Sequence, residues 1–456
     1  MWGGTDALTE RRRKSVAVIA AVGRVLESDP PPGLDVTRFV TAYGQFETCS
    51  SPTRTWLTAE PYAYFWGRLA YELLRAILQP DSPASGLARQ YCRDGSLSPR
   101  EALAGHLSEF TRFSIAGAFL DGVELELDEP FETTGPLALP GTPLCLGGAG
   151  RVVIHGVCQN QLRLIGCTAD SYPVVDYDGC QCRLQPAVFN VPLRGIDSEV
   201  WRAGSAFQAN HAGDIERALG ILRRLDADGF AQIREGLRVI ALRPAGAPGA
   251  LLNVSHCDLP GAVSVYNSPH PYELANIIRH ELLHNRLFAL EEEGWFLDEP
   301  SVEHDAGEGI YSPWRSDPRP AHGLLHAVYV FTGIGHHWVA VVRDAATPQP
   351  VCELARTRIL RSLYQVRLGL SLLRRYARLT TRGHRLVSAL ETEHESLWQA
   401  AAAIDIGGDL PHMTFREGTL FDVEVHQDTV LQRVKSHLQC YGSAEQVEQL
   451  SPLLAG

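Results

Sequence analysis

The chain has 456 residues, of which 45% are hydrophobic and 21% charged. This composition is typical of a globular protein with a sizeable core, and the length suits about three domain-sized units. The formal net charge of −12 excludes a nucleic-acid binder that relies on broad attraction to phosphates. Ten cysteines are scattered along the chain without a C-x-x-C pair, which favours reduced thiols in a cytoplasmic protein over a disulfide framework.

The beginning of the chain has the outline of a secretory signal. A basic run from Arg11 to Lys14 precedes the apolar residues 15–23. Arg24 interrupts the apolar run and the helical pattern then continues, so we expect an amphipathic N-terminal helix instead. Nowhere does the sequence hold about 18 consecutive apolar residues, and no transmembrane span or membrane partner is expected.

The first half of the chain changes its pattern near residue 125. Residues 1–125 are predicted to be a helical region, because residues 61–78 and 99–119 carry apolar side chains at helical spacing. Residues 126–194 contain short β-like runs separated by glycine and proline, and are predicted to be a β-rich segment.

Residues 195–403 are predicted to form a metal-binding catalytic domain with C-terminal helices. A helical pattern up to about residue 235 is followed by three predicted strands, at residues 237–242, 250–254 and 261–266. Their position before a metal-binding helix predicts a small sheet that backs this helix, the order found in zincin-like folds. The expected fold class is therefore α+β and helix-rich. Residues 404–456 are predicted to be a C-terminal appendage with a helix at 427–438.

The metal-binding helix is predicted over residues 272–290 and carries an H-E-x-x-H motif. His280 and His284 lie one turn apart on its face, so both imidazoles can bind one ion. Ile277 and Phe288 continue the same stripe in an apolar setting. In a zinc peptidase, Glu281 would be the general base that activates a metal-bound water.

A catalytic metal usually has three protein ligands, so a third must come from elsewhere. Glu303 has a spacing that a glutamate-ligand zinc peptidase uses, but it lies among polar residues beside a proline. His326 lies in an apolar helical pattern that begins near Ala321, where an imidazole needs a partner or a metal. We predict His326 as the third ligand, with His322 and Glu303 as the alternatives.

Three segments together resemble a known family. HELLH, followed by YSPWRSDPRP and GLLHAVYVF, is similar to bacterial HExxH-containing peptide-modification proteins that are encoded with ribosomally made, post-translationally modified peptides. That group includes α-ketoglutarate (2-oxoglutarate)-dependent peptide β-hydroxylases. The resemblance covers about residues 262–331. It implies a non-haem Fe(II) bound by three histidines, which correspond here to His280, His284 and His326, with dioxygen as co-substrate and a precursor peptide as substrate.

Fe(II)- and 2-oxoglutarate-dependent chemistry suggests roles for residues near the three histidines. Three protein ligands leave positions on iron for a 2-oxo acid and dioxygen. The distal carboxylate of 2-oxoglutarate needs a fixed cation, and Arg315 or Arg319 in the proline-rich loop could supply a bidentate guanidinium. Tyr311 and Ser312 could add hydrogen bonds, and Glu281 would orient a ligand or contact the peptide.

The sequence thus predicts a cytoplasmic Fe(II)/2-oxoglutarate-dependent hydroxylase that modifies the β-carbon of a side chain in a precursor peptide. A zinc-dependent HExxH metallopeptidase is one alternative. A non-catalytic peptide-binding protein that retains a structural metal is the other. The sequence does not indicate the oligomeric state.

Overall fold

The structure is a computed structural model of the whole chain, and part of the chain is described below. The described residues are 6–81, 86–92, 97–134, 137–147, 151–159, 161–165, 168–171, 173–186, 211–243, 253–266, 268, 270–298, 309–404, 406, 410–415 and 423–455. They form a helix-rich α+β fold, as the sequence predicts.

Contacts divide the chain into two compact units. The first unit contains residues 5–212 and 234–267, and the second contains residues 1–4, 213–233 and 268–456. The β-rich segment therefore groups with the N-terminal helices, and the last fifty residues group with the helix that carries H-E-x-x-H. The four-part division of the chain remains a prediction.

Seven helices are described in the first unit. They are α1 Asp6–Ser28, α2 Thr37–Thr48, α3 Ser51–Thr58, α4 Pro61–Leu78, α5 Gly86–Tyr91, α6 Pro99–Ser108 and α7 Thr111–Asp121. Helix α4 has the bounds expected from its apolar spacing, whereas the pattern at 99–119 forms two helices instead of one. The chain turns between α6 and α7, which lets Phe110 and Phe113 both contact the buried ring of Trp66.

Eleven strands are described in the same unit. They are β1 Leu125–Thr134, β2 Leu137–Ala138, β3 Leu144–Gly147, β4 Arg151–Cys158, β5 Gln161–Ile165, β6 Thr168–Ser171, β7 Val174–Tyr177, β8 Cys180–Pro186, β9 Val239–Arg243, β10 Val254–Ser255 and β11 Ala262–Tyr266. Strands β1, β4 and β5 form one antiparallel sheet, and β2, β3 and β6 form another.

The third sheet of this unit joins strands from two predicted segments. Its order is β10-β11-β9-β8-β7, with parallel pairs where β9 meets β11 and β8. Val239, Ala241 and Ala262 belong to the buried core that the N-terminal helices build. The sheet thus belongs to the first unit, while the helix that carries H-E-x-x-H belongs to the second. The expected zincin-like order is not confirmed, because the apolar face of the sheet has its own helical partner.

Helices dominate the second unit. They are α8 His211–Leu225, α9 Ala227–Gly236 (which continues into the first unit), α10 Pro271–Glu291, α11 Ala321–Arg343, α12 Gln349–Tyr376, α13 Thr381–Ala402, α14 Val430–Tyr441 and α15 Ala444–Leu450, with strands β12 Pro411–Phe415 and β13 Val423–Thr429. Residues 377–380 separate α12 from α13, and the Thr380 side chain caps α13 by accepting a hydrogen bond from the Gly383 amide. Helix α14 begins later than predicted, where Thr429 and Gln432 form a capping box.

Helix α11 is the most apolar helix of this unit. Among the described residues it alone is long and apolar enough to cross a membrane, but 72% of its most apolar window is buried inside the protein. It packs between α10 and α12, with Leu324, Tyr329 and Trp338 in its buried face. Its apolar character is therefore that of a core helix, and it brings His326 against α10.

Candidate metal centre

The first part of the candidate site is one face of α10. Pro271 begins the helix, and the two histidines of H-E-x-x-H follow with ring centroids 5.0 Å apart. His280 and His284 are partly exposed, so the site remains open to solvent on this side. Phe288 lies one turn further, where its ring contacts both His284 and the buried His326.

Helix α11 brings His326 directly against this face. The Nδ1 atoms of His284 and His326 lie 3.1 Å apart, and their rings are stacked with centroids 5.4 Å apart. Two imidazole nitrogens at this distance need either a proton on one ring or a cation bound to both. The structure therefore brings His326 directly against His284, while His280 meets His284 in a ring contact.

Burial determines the electrostatics of these imidazoles. It lowers the pKa of His280 to about 4. Burial lowers the pKa of His284 well below its ordinary value, and the neighbouring histidines lower it further. The pKa of His326 is also lowered, first by burial and then by His322, despite its contact with Glu291. All three rings are therefore neutral near pH 7, with lone pairs for a metal ion.

Glu291 is a site residue that the sequence reasoning missed. Its carboxylate lies 2.9 Å from His322 Nε2 and 3.3 Å from His326 Nε2, and it is buried. Burial alone would raise its pKa, but the hydrogen bonds from the two histidines outweigh this and lower the pKa to about 2. Glu291 lies on the H-E-x-x-H face two turns beyond His284, a spacing that could have identified it.

His326 thus has a different partner at each ring nitrogen. Its Nδ1 faces His284, and its Nε2 faces the Glu291 carboxylate. Metal-binding histidines commonly donate their second N–H to a carboxylate, which fixes the tautomer and the ring orientation. A competing donor set is Glu291, His322 and His326, whose ligand atoms lie within 4.8 Å of one another. The two sets share only His326. Among the described residues, the ligand atoms of His280, His284 and His326 do not form a group as close as this one.

Aromatic side chains border the site beside His280. The Phe331 ring meets the His280 ring edge to face at 5.3 Å, and Trp314 stacks on Phe331 at 5.1 Å. Trp314 Nε1 is buried and has no hydrogen-bond partner in the described part of the chain. The loop that contains YSPWR therefore reaches the histidine cluster through Trp314 and Phe331.

The predicted cofactor arginines have another partner in the structure. Arg315 Nε lies 2.9 Å from one carboxylate oxygen of Asp317, and Arg319 Nε lies 3.2 Å from the other. Arg315 is exposed, and Arg319 is about one third exposed. Within the described residues, neither side chain contacts the three histidines.

Tyr311 and Ser312 lie on the inner side of this loop, and both are buried. The Tyr311 hydroxyl is 2.8 Å from His437 Nδ1 on α14, and the Ser312 hydroxyl oxygen accepts a weak hydrogen bond from the Trp314 amide. Neither contact is with a histidine of the metal centre. The structure therefore places Tyr311 beside a different basic group.

Two glutamates matter for the peptidase hypothesis: Glu281 as the general base and Glu303 as the alternative third ligand. Glu281 is buried in α10 between the two histidines in sequence. Glu303, the alternative third ligand, lies outside the described residues. A contact with the nearby histidines is therefore observed for His326, whose Nδ1 lies 3.1 Å from that of His284. The position of Glu303 is not among those described.

Another group of metal-type side chains lies in the first unit, where His256, Cys257 and Asp258 are consecutive. The Asp258 carboxylate is 2.5 Å from Arg68, and His256 Nδ1 accepts the Asp258 backbone N–H. These contacts account for the group as an ordered turn. The two-helix histidine cluster is the stronger candidate for a metal centre.

Comparison of the sequence with models of protein families finds no match, and neither does comparison with curated proteins.

Proposed function

We propose that this chain is a non-haem Fe(II)- and 2-oxoglutarate-dependent hydroxylase that acts on the β-carbon of a side chain in a ribosomally made precursor peptide. The observation that carries the proposal is the 3.1 Å contact between His284 and His326, next to His280 on the same helix face. Helices α10 and α11 thus bring two of the three imidazoles into direct contact, with His280 beside His284.

The donor set fits an iron cofactor. Three imidazole nitrogens suit Fe(II), and three protein ligands leave room for a 2-oxo acid and dioxygen. His280, His284 and His326 would hold the ion, which would supply the oxygen-activating chemistry when bound. The set departs from the usual two histidines and one carboxylate, and the nearby carboxylate of Glu291 accepts hydrogen bonds from His326 and His322 instead.

The surrounding residues have roles of their own. Glu291 fixes His326 with Nδ1 toward the site, because it accepts the proton on Nε2. Phe331 and Trp314 keep one side of His280 apolar, which limits the access of water there. Partial exposure of His280 and His284 leaves an opening for a peptide. Glu281 then contacts the peptide or orients a ligand, and is not needed as a base.

The proposal also includes binding of 2-oxoglutarate by an arginine and a cytoplasmic location. For Arg315 or Arg319 to bind the 2-oxoglutarate carboxylate, either must exchange the carboxylate of Asp317 for that of the ligand. Eight cysteines are free thiols in the described part of the chain, which supports a reducing, cytoplasmic setting. The proposed partner is the precursor peptide. Neither nucleic acid nor a membrane is proposed as a partner.

A zinc-dependent peptidase is the second candidate, and the burial of Glu281 directly after His280 favours it. In that case Glu281 would activate water for attack on a peptide bond. The two candidates predict different products from one peptide, since hydroxylation adds one oxygen atom and hydrolysis cuts the chain.

The test uses protein purified without oxygen and a candidate precursor peptide from a neighbouring reading frame. Fe(II), 2-oxoglutarate and dioxygen should yield succinate and a peptide heavier by one oxygen atom, measured by mass spectrometry. Zinc-dependent cleavage of the same peptide, without succinate, would establish the peptidase. Association with the peptide and no turnover under either condition would indicate a binding protein.

A further inference from the structure

A cavity of about 270 Å³ lies in the first unit, against one face of α2. Thr37, Thr41 and Gln45 line it, and their spacing of four residues places them on the same face of the helix. Residues 127–129 of β1 and Thr111, the first residue of α7, line it as well. The cavity is therefore formed within one unit, by residues that take no part in the histidine cluster.

A bulge in β1 carries two acidic residues of this cavity. The pairing of β1 with β4 shifts its register between Glu126 and Phe131, so residues 127–130 of β1 correspond to a single residue of β4. Extra residues of this kind leave the hydrogen-bond ladder and re-aim their side chains. Asp128 and Glu129 lie in the bulge, and both are exposed and line the cavity. The bulge therefore supplies two carboxylates at the solvent-exposed edge of the cavity.

Arg38 connects this bulge to α2. It lines the cavity, and its Nη2 donates a hydrogen bond to the Pro130 carbonyl oxygen at 2.6 Å. Asp35, just before α2, is a third acidic residue of the wall, and its Oδ1 accepts the Thr37 amide N–H at 3.0 Å. The wall thus has three carboxylates and one guanidinium, an excess of negative charge. Among the described residues, none of these four groups forms an ion pair.

The hydroxyl of Thr111 is an uncharged part of the same wall. Thr111 is 3% exposed, and its Oγ1 is buried without a hydrogen-bond partner in the described part of the chain. Buried hydroxyls nearly always have a partner, because taking one out of water without a hydrogen bond is costly. Since Thr111 lines the cavity, a donor on a bound ligand can supply that partner.

We propose that this cavity binds an alkylammonium group. Asp128 and Glu129 balance its charge, and the Thr111 hydroxyl accepts a hydrogen bond from it. An ammonium group has only donors to offer these acceptors, whereas the excess of carboxylates repels an anion. The volume of the cavity is just below the range of about 300 to 1,000 Å³ that is typical of sites for drug-sized ligands, which suits one side chain or a short diamine. The ammonium therefore belongs either to a lysine side chain of a peptide or to a free diamine.

The test is calorimetric titration of the full-length protein with three probes. They are putrescine, a peptide with one lysine between glycines and both termini blocked, and the same peptide with N-acetyllysine. The double variant Asp128→Asn, Glu129→Gln should weaken ammonium binding by about tenfold or more, because it removes two charges and keeps the shape. Thr111→Val should weaken it less, because only one neutral acceptor is lost. Glu126→Gln is the matched control, since Glu126 is an exposed residue of the same strand and does not line the cavity.

Binding of putrescine alone identifies a free diamine as the ligand, and binding of the lysine peptide alone identifies a peptide side chain. Binding of both supports the ammonium site with either source. Equal binding of the lysine and N-acetyllysine peptides overturns the proposal, as does equal binding by wild type and the double variant, or no binding of either ammonium probe. If circular dichroism shows that the double variant fails to fold, Asp128→Asn and Glu129→Gln are measured singly. Failure of hydroxylation would leave these binding results unchanged, since the site is independent of the proposed reaction.

Discussion

His284 and His326 lie in different helices, yet their Nδ1 atoms are 3.1 Å apart and their rings are nearly parallel. Helices α10 and α11 pack along each other, and this packing brings the two rings together. Neutral imidazoles in this arrangement favour a shared cation. Five consequences of this contact and its surroundings can be measured.

Glu291→Gln should weaken metal binding about 10- to 100-fold, because the amide no longer holds the His326 proton as the carboxylate does. A competition titration with a chelating dye measures the affinity. Glu293→Gln is the matched control, since Glu293 is exposed and pairs with Arg382 at the same helix end. Equal affinities for both variants would remove Glu291 from the site. A complete loss of binding would instead make Glu291 a ligand.

Metal binding should resist acid more than an exposed histidine site does. The pKa of His280 is about 4 because the ring is buried, so protons compete with the metal only as the pH approaches that value. Affinity should therefore change little between about pH 7 and 6 and fall steeply below 5. A loss of affinity centred near pH 6.5, the ordinary histidine value, would contradict the burial of these rings.

The same shift predicts the acid sensitivity of the metal-free protein. Between pH 6.5 and about 4 the unfolded chain binds a proton at His280 that the folded chain does not. Stability is therefore fully present above 6.5 and decreases as the pH falls through this window. Thermal melts at several pH values, with and without metal, measure this decrease.

Glu281→Gln distinguishes the two candidate reactions. Under hydroxylation the variant should keep its rate within about tenfold, since no general base is required of this residue. Under zinc-dependent hydrolysis the rate should fall by about 10²- to 10⁴-fold, because the base that activates water is lost. The metal content of the same samples shows whether His280 and His284 still bind the ion. A fall in rate caused by loss of metal is thereby distinguished from one caused by loss of the general base.

The predicted cofactor arginine can be tested with its observed partner. Arg315→Ala should raise the KM for 2-oxoglutarate about 10- to 100-fold, as the loss of a charged hydrogen bond does. Asp317→Asn should lower the KM, because it removes the carboxylate that competes for Arg315 and Arg319. If neither variant changes the KM, the cation for this cofactor lies elsewhere in the protein.

The helices that carry the site were predictable, because their signals are local. Helix α10 begins at Pro271, as expected of a proline at a first helical position, and its histidines follow the helical period. The apolar pattern around His326 likewise predicted α11 from Ala321. Glu291 also lies on the predicted face, but a glutamate at the end of a helix is usually exposed. Only the approach of His322 identifies it as a buried acceptor.

Other features depend on contacts between distant segments. Two of the three predicted strands form, at Val239–Arg243 and Ala262–Tyr266, and most of the third lies outside the described residues. Their apolar residues do not indicate which helices cover them, and Val239 and Ala262 pack in the N-terminal core. Long-range packing of this kind leaves no local pattern in the sequence.

The most direct test of the account is an anomalous diffraction map of crystals loaded with Fe(II) without oxygen and measured at the iron edge. We predict one peak within bonding distance of His280, His284 and His326, with Glu291 hydrogen-bonded to His326 and not to the ion. A peak bound by Glu291, His322 and His326 and away from His280 would contradict this centre, as would a map without a peak between α10 and α11.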